Sequence, residues 1–116
     1  MCIGAHTLSH SKLSRMSDEL AFGEIQQSRR VLAQALGKGV WAFAYPFGDP
    51  SAVAAREIAF AEQCGFTCAF LNVEARPEYD RSLFTLPRVH VTRDVSLAEI
   101  DARVSGFHGS LRQWFA

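Results

Sequence analysis

Apolar side chains occur along this chain in short blocks, and the blocks alternate between two spacings. Residues 1–5 are an apolar run that stops at polar residues, the pattern of the end of a buried strand. Residues 17–36 carry Ala21, Ile25, Leu32, Ala35 and Leu36 at helical spacing. Ser17 fits the N-cap of that helix, Asp18 and Glu19 sit where its dipole favours negative charge, and Gly37 and Gly39 supply the stop. Residues 40–45 read VWAFAY, a continuous apolar run between glycine and proline that suits a strand covered on both faces.

The second half repeats the alternation. Asp49-Pro50-Ser51 predicts a turn, with Ser51 capping a helix that runs to about residue 64 and closes at Gly65. Residues 66–71 predict the next buried strand, residues 72–82 a polar loop containing Pro77, and residues 86–91 a shorter strand containing Pro87. Ser96 and Glu99 form a capping box ahead of a helix to about residue 105, ended by Gly106. The tail holds Phe107, Leu111, Trp114 and Phe115, compatible with a last helical turn packing back on the core.

Strands alternating with helices predict an α/β fold, with parallel strands joined by crossover helices. An open sheet and a slice of a barrel both fit. No internal repeat is visible. A domain rarely starts in mid-strand, so the apolar run at residue 1 predicts a single domain over residues 1–116 that is truncated upstream.

Composition narrows the function classes. The 116 residues are 48% hydrophobic and 21% charged, which fits a folded domain and not a disordered tail. Lys plus Arg and Asp plus Glu both count 12, and Arg29-Arg30 is an isolated basic pair, so nucleic-acid binding has no electrostatic support. A neutral ligand such as a sugar chain is compatible with that balance. No apolar run reaches the ~20 residues of a membrane span. No signal peptide is readable, and the compartment is left open. Cys2, Cys64 and Cys68 have no metal-ribbon spacing and read as free thiols, which slightly favours a reducing compartment.

Two stretches carry candidate chemistry. His6 and His10 are four residues apart at the predicted end of a strand, where α/β proteins place their sites. Imidazole is the commonest side-chain ligand for a divalent metal near neutral pH. Thr7 follows the first histidine, which excludes the H-E-x-x-H zinc motif and leaves Thr7 as a supporting hydrogen-bonding group. The second stretch is Tyr45-Pro46-Phe47-Gly48. Pro46 fixes φ, Gly48 permits close backbone approach, and the Phe47 N–H is placed to serve an oxyanion. The aromatic faces of Tyr45 and Phe47 suit the apolar side of a sugar ring. Each stretch also has an ordinary reading: surface histidines, and a plain strand-to-helix turn.

Together, "GAHTLSH" and "FAYPFG", with 36 positions from His10 to Pro46, resemble the polysaccharide deacetylase family of carbohydrate esterases. The H-[ST]-x-x-H metal motif of that family reads here as His6-Thr7-Leu8-Ser9-His10, and Ala44-Tyr45-Pro46-Phe47-Gly48 is similar to one branch of its third motif. The resemblance implies a partial (β/α) barrel of the glycoside hydrolase/deacetylase type and metal-dependent removal of acetyl groups, amide or ester, from an acetylated polysaccharide or oligosaccharide. It implies His6 and His10 as ligands of a divalent cation, zinc first. It implies the Phe47 N–H as oxyanion donor and His90 as a candidate general acid. Arg88, two positions before His90 on the predicted strand, is a candidate to position a carboxylate or meet substrate.

One part of the family pattern is missing. Its T-F-D-D-G motif, source of the general base and a third ligand, is not in this sequence. Asp18, Asp80, Asp94 and Asp101 fall in helices or loops, and Asp49 alone lies close to the motifs. The expectation is therefore an incomplete deacetylase domain, inactive alone, with an exposed sheet edge at residues 1–5 open to oligomer formation. The alternatives are a non-catalytic glycan-binding relative and an unrelated α/β module.

Overall fold

The computed structural model describes residues 1–75 and 82–106. The first long element is helix α1, Asp18–Leu36. Ser17 caps it by accepting the Leu20 N–H, and Asp18 and Glu19 occupy its first turn. Gly37 closes it in the left-handed conformation, φ 67, with its N–H on the Ala33 carbonyl. The buried face runs through Ala21, Ile25 and Ser28; Ala35 is exposed, unlike the apolar pattern's expectation. Ser28 enters the core because its hydroxyl donates to the Ile25 carbonyl at 2.8 Å, which satisfies its one donor locally.

Strand β1 is Ala42–Ala44 and strand β2 is Cys68–Phe70; they pair in parallel with Phe43 opposite Ala69. Two further parallel contacts extend the sheet by one residue each, Ala5 against Phe43 and Leu86 against Phe70. The parallel segments thus lie side by side in chain order, with α1 in the first connection and a second helix in the next: a mixed helix and parallel-strand fold. The expected strand over residues 1–5 reduces to the Ala5 contact. Residues 1–4 are exposed, with Ile3 at 48%. The expected strand over residues 86–91 also reduces to its first residue, Leu86. Pro87 follows with no N–H for a ladder, so Arg88 and His90 do not share a strand face.

Between the strands, a single helical turn at Pro50–Ala52 precedes helix α2, Ala55–Gln63. Ser51 does not cap α2. Asp49 accepts the Ser51 N–H and hydroxyl and caps the short turn instead, as an aspartate ahead of proline readily does. Helix α3, Leu97–Val104, begins as the sequence predicts, with Ser96 accepting the Glu99 N–H. The Glu99 carboxylate pairs with Arg103 one turn on. Gly106 follows with φ 79. No helix among the described residues is long and apolar enough to cross a membrane. The expected helical turn in the tail lies outside the described residues.

The core sits between the sheet and the two helices. Phe43 and Tyr45 project from β1 and its end, each 1% exposed, against Ala21 and Ile25 of α1, Ala61 of α2, and Phe66. Phe43 meets Tyr45 edge-on at 5.3 Å and Phe66 at 5.1 Å between ring centroids. Burying each such aromatic contributes roughly 1.5–3 kcal/mol.

Two arginines tie helix to sheet. Arg29, half of the basic pair, donates to the Val40 and Cys64 carbonyls and lies over the Phe66 ring. Arg56 of α2 donates to the Leu13 and Met16 carbonyls and to Asp18, fixing the segment that leads into α1. All three cysteines are free thiols: Cys2 is exposed, Cys64 and Cys68 are buried, and burial pushes both buried thiols up in pKa.

Candidate functional site

The two sequence motifs meet at one end of the sheet. Ala5 pairs with β1, so His6 leaves the sheet beside the end of that strand. The Nδ1 of His6 lies 2.6 Å from the Ala44 carbonyl oxygen. A carbonyl only accepts, so Nδ1 carries a proton, and in the neutral ring Nε2 keeps its lone pair. Burial lowers the His6 pKa; the Ala44 bond opposes this, and the charges of His10 and Arg88 add to the lowering. The result is a half-buried imidazole in which burial favours the neutral ring and the Ala44 bond selects its tautomer, with Nε2 free to accept.

The chain then folds back tightly. Thr7 and His10 both adopt the left-handed conformation, φ 65 and φ 56, and Thr7 Oγ1 accepts the His10 N–H at 3.1 Å. Leu8 and Ser9 between them donate their N–H groups to Glu24 of α1. This turn stands the His10 ring edge-on to His6, 4.8 Å between centroids.

The second motif reaches the same place from the end of β1. Phe47 is the third non-glycine residue in the left-handed region, φ 57. Its ring is 5.0 Å from that of His10, and half of it is exposed. Its N–H has no hydrogen-bond acceptor among the described residues. Gly48 makes the turn possible: a Cβ there would lie 2.5 Å from the Asn72 nitrogen, whose N–H the Gly48 carbonyl accepts at 2.7 Å. Each left-handed non-glycine residue costs of order 1–3 kcal/mol, and such strain concentrates at functional sites. Here all three surround one ring cluster: His6, His10, Phe47.

A cavity of about 420 Å³ opens beside His6, lined also by Cys2, Trp41, Phe70 and Arg88. Arg88 is partly buried, burial lowers its pKa, and its Nε has no partner among the described residues.

The other sequence candidates fall elsewhere. Tyr45 is in the core, its hydroxyl donating to the Phe84 carbonyl at 2.9 Å, and burial pushes its pKa up. Its ring is not presented to a ligand. His90 is exposed and outside the cavity lining; its N–H faces Glu74 and its carbonyl accepts from Arg103. Asp49 turns its carboxylate onto Ser51, and those bonds lower its pKa. The residue that sequence reasoning missed is Glu24, which reads locally as one more polar position on a helix.

The donor chemistry fits a divalent cation in part. Two imidazoles are adjacent, one with its tautomer fixed. No group of three or more His, Cys, Asp or Glu side chains that would hold a metal occurs among the described residues.

Comparison with known proteins agrees with the fold. Among solved structures, the chain resembles the Streptococcus pyogenes deacetylase PplD in complex with acetate, at 20% identity and TM-score 0.74, over 87% of this chain and 43% of that one. It resembles BC0361, a polysaccharide deacetylase from Bacillus cereus, at 22% identity and TM-score 0.66, over 87% and 31%. IcaB from Ammonifex degensii follows at 24% identity and TM-score 0.54, over 75% and 35%. The chain therefore spans less than half the length of each. No curated protein matches it. The sequence profile of the polysaccharide deacetylase family matches residues 1–69, more than half of the chain and both motifs. The chain belongs to the polysaccharide deacetylase family.

Proposed function

We propose that this chain carries part of a metal-dependent centre that hydrolyses acetyl groups, amide or ester, on a polysaccharide or oligosaccharide. The observation that carries the reading is the ring cluster: His6, with its tautomer fixed by Ala44, beside His10, beside a strained Phe47. His6 and His10 would hold the cation, with zinc the best match to imidazole donors. When bound, the cation supplies Lewis acidity toward the acetyl carbonyl and an attacking water. The chain's own groups do the rest. The Phe47 N–H donates to the oxyanion as the carbonyl becomes tetrahedral. The exposed Phe47 ring offers an apolar face to a sugar, and Arg88 faces the cavity as a cation for a carboxylate or for substrate oxygens.

The parallel segments in chain order, with helices in the first two connections, support the partial (β/α) barrel that this reading requires. Within the described residues the centre lacks a carboxylate to complete the ligand set and act as base. On this reading the chain alone binds glycan and metal and turns over slowly or not at all. The second reading, a non-catalytic glycan binder of the same family, shares the binding prediction and differs in turnover.

The test is to titrate the chain with acetylated chito-oligosaccharides in the presence of zinc, recording ligand binding and acetate release together. Binding that perturbs the Phe47 and Arg88 signals is expected. Release that disappears in His6→Ala establishes an enzyme; saturable binding with no release fits the incomplete centre and the non-catalytic binder alike. Absence of both overturns the proposal.

A further inference from the structure

The loop that carries the two histidines is gripped from outside. Glu24, on α1, accepts the Leu8 N–H at 2.9 Å and the Ser9 N–H at 3.0 Å on one carboxylate oxygen, and the Ser9 hydroxyl at 2.9 Å on the other. The gripped residues lie between Thr7 and His10, both left-handed. A left-handed residue followed by successive N–H groups makes a concave anion receptor. Here the anion is the protein's own side chain, arriving from a helix that the local pattern would leave facing solvent. The His10 N–H goes to Thr7 Oγ1. Ser9 is tied further by its hydroxyl contact with Ser11 at 2.8 Å.

We infer that Glu24 is a positioning residue for the two-histidine centre. It holds residues 7–10 in the conformation that stands the His10 ring between His6 and Phe47, at 4.8 Å and 5.0 Å. Without it, two amides and a hydroxyl lose a charged acceptor, and within the turn the Thr7 Oγ1 bond alone is left against relaxation of the left-handed Thr7 and His10. His10 then swings free of His6, and the pair stops acting as one donor set. The inference rests on reading His6 and His10 as ligands. Its geometric core, the placement of the rings, can be measured without metal.

The test compares the 116-residue chain with Glu24→Ala, Glu24→Gln, Ser9→Ala and Ile25→Ala. Cross-relaxation between the His6, His10 and Phe47 rings is recorded by NMR in metal-free protein, and zinc affinity by calorimetry. Glu24→Ala is expected to lose the ring cross-peaks and to bind zinc about tenfold more weakly, the usual scale for a residue that orients a ligand. Glu24→Gln keeps a carbonyl acceptor and retains most of both. Ser9→Ala removes only the hydroxyl bond and weakens the cross-peaks in the same direction. Ile25→Ala truncates the core from the adjacent position and lowers stability with the cross-peaks intact. Ring cross-peaks unchanged in Glu24→Ala overturn the inference, as does their equal loss in Ile25→Ala. Should Glu24→Ala not fold, unchanged cross-peaks in Ser9→Ala overturn it. If the unsubstituted chain binds no zinc, the ligand reading fails and the cross-peaks alone decide the role of Glu24.

Discussion

The Nδ1 of His6 donates to the carbonyl of Ala44 across 38 positions of sequence, joining the two motifs through one 2.6 Å hydrogen bond. The bond also has a consequence for pH. His6 is held below its ordinary pKa of 6.5, chiefly by burial. The unfolded chain therefore takes up a proton that the folded chain resists. Stability from this group is complete above pH 6.5 and is lost as pH falls through the lower, folded value. Thermal melts at pH 7.5 and pH 5 should show a fall that is smaller in His6→Gln. An identical fall in both proteins would contradict the assignment.

Gly48 is placed against the backbone of Asn72, where an added Cβ would stand 2.5 Å from nitrogen. Backbone cannot move aside as a flexible side chain would. Gly48→Ala should lower unfolding free energy by about 1–3 kcal/mol in denaturant titrations and shift the Phe47 amide resonance. Gly4→Ala, 3.0 Å from the Ala42 carbonyl oxygen, should have a smaller effect.

Tyr45 belongs to the core and not to the proposed glycan-binding face. Tyr45→Phe leaves the Phe84 carbonyl without its donor, and the expected loss is about 1–3 kcal/mol of stability. Affinity for acetylated oligosaccharide should not change. A variant of normal stability and weakened glycan binding would return Tyr45 to the site.

Glu57 of α2 is fully buried, and neither carboxylate oxygen has a hydrogen-bond partner among the described residues. The Arg56 Nε stands 3.6 Å away, but Arg56 keeps Asp18 and two carbonyls without it. Removing the Glu57 charge therefore leaves no buried cation alone. Glu57→Gln should be as stable as the parent or more so, by about 1 kcal/mol. A loss of that size would reveal a partner for this carboxylate.

The parts of this fold that local physics specifies were legible. Ser17 and Gly37 bound α1 because a hydroxyl cap and a left-handed glycine are local devices, and β1 lies inside its apolar run. Where the reading failed, something non-local or a competing local interaction decided. Residues 86–91 look like a strand, but Pro87 offers no N–H after Leu86 has paired. Ser51 looks like a cap, but Asp49 captures it first. In the site, the spacing of His6 and His10 and the turn at Phe47 were readable. The burial of Tyr45 and the exposure of His90 were not, since both depend on what packs alongside. Glu24, Arg29 and Arg56 were invisible for the same reason: each acts on backbone groups 11 to 43 positions away.

The central claim is that His6 and His10 act together as metal ligands. Zinc calorimetry on the chain and on the double variant His6→Ala, His10→Ala tests it most directly. The account predicts one weak site in the parent chain, read as a saturable heat of binding, that is absent from the double variant. Tight binding lost in the variant would add a third ligand to the pair. No binding by the parent chain, or binding unchanged by the double substitution, would contradict the claim.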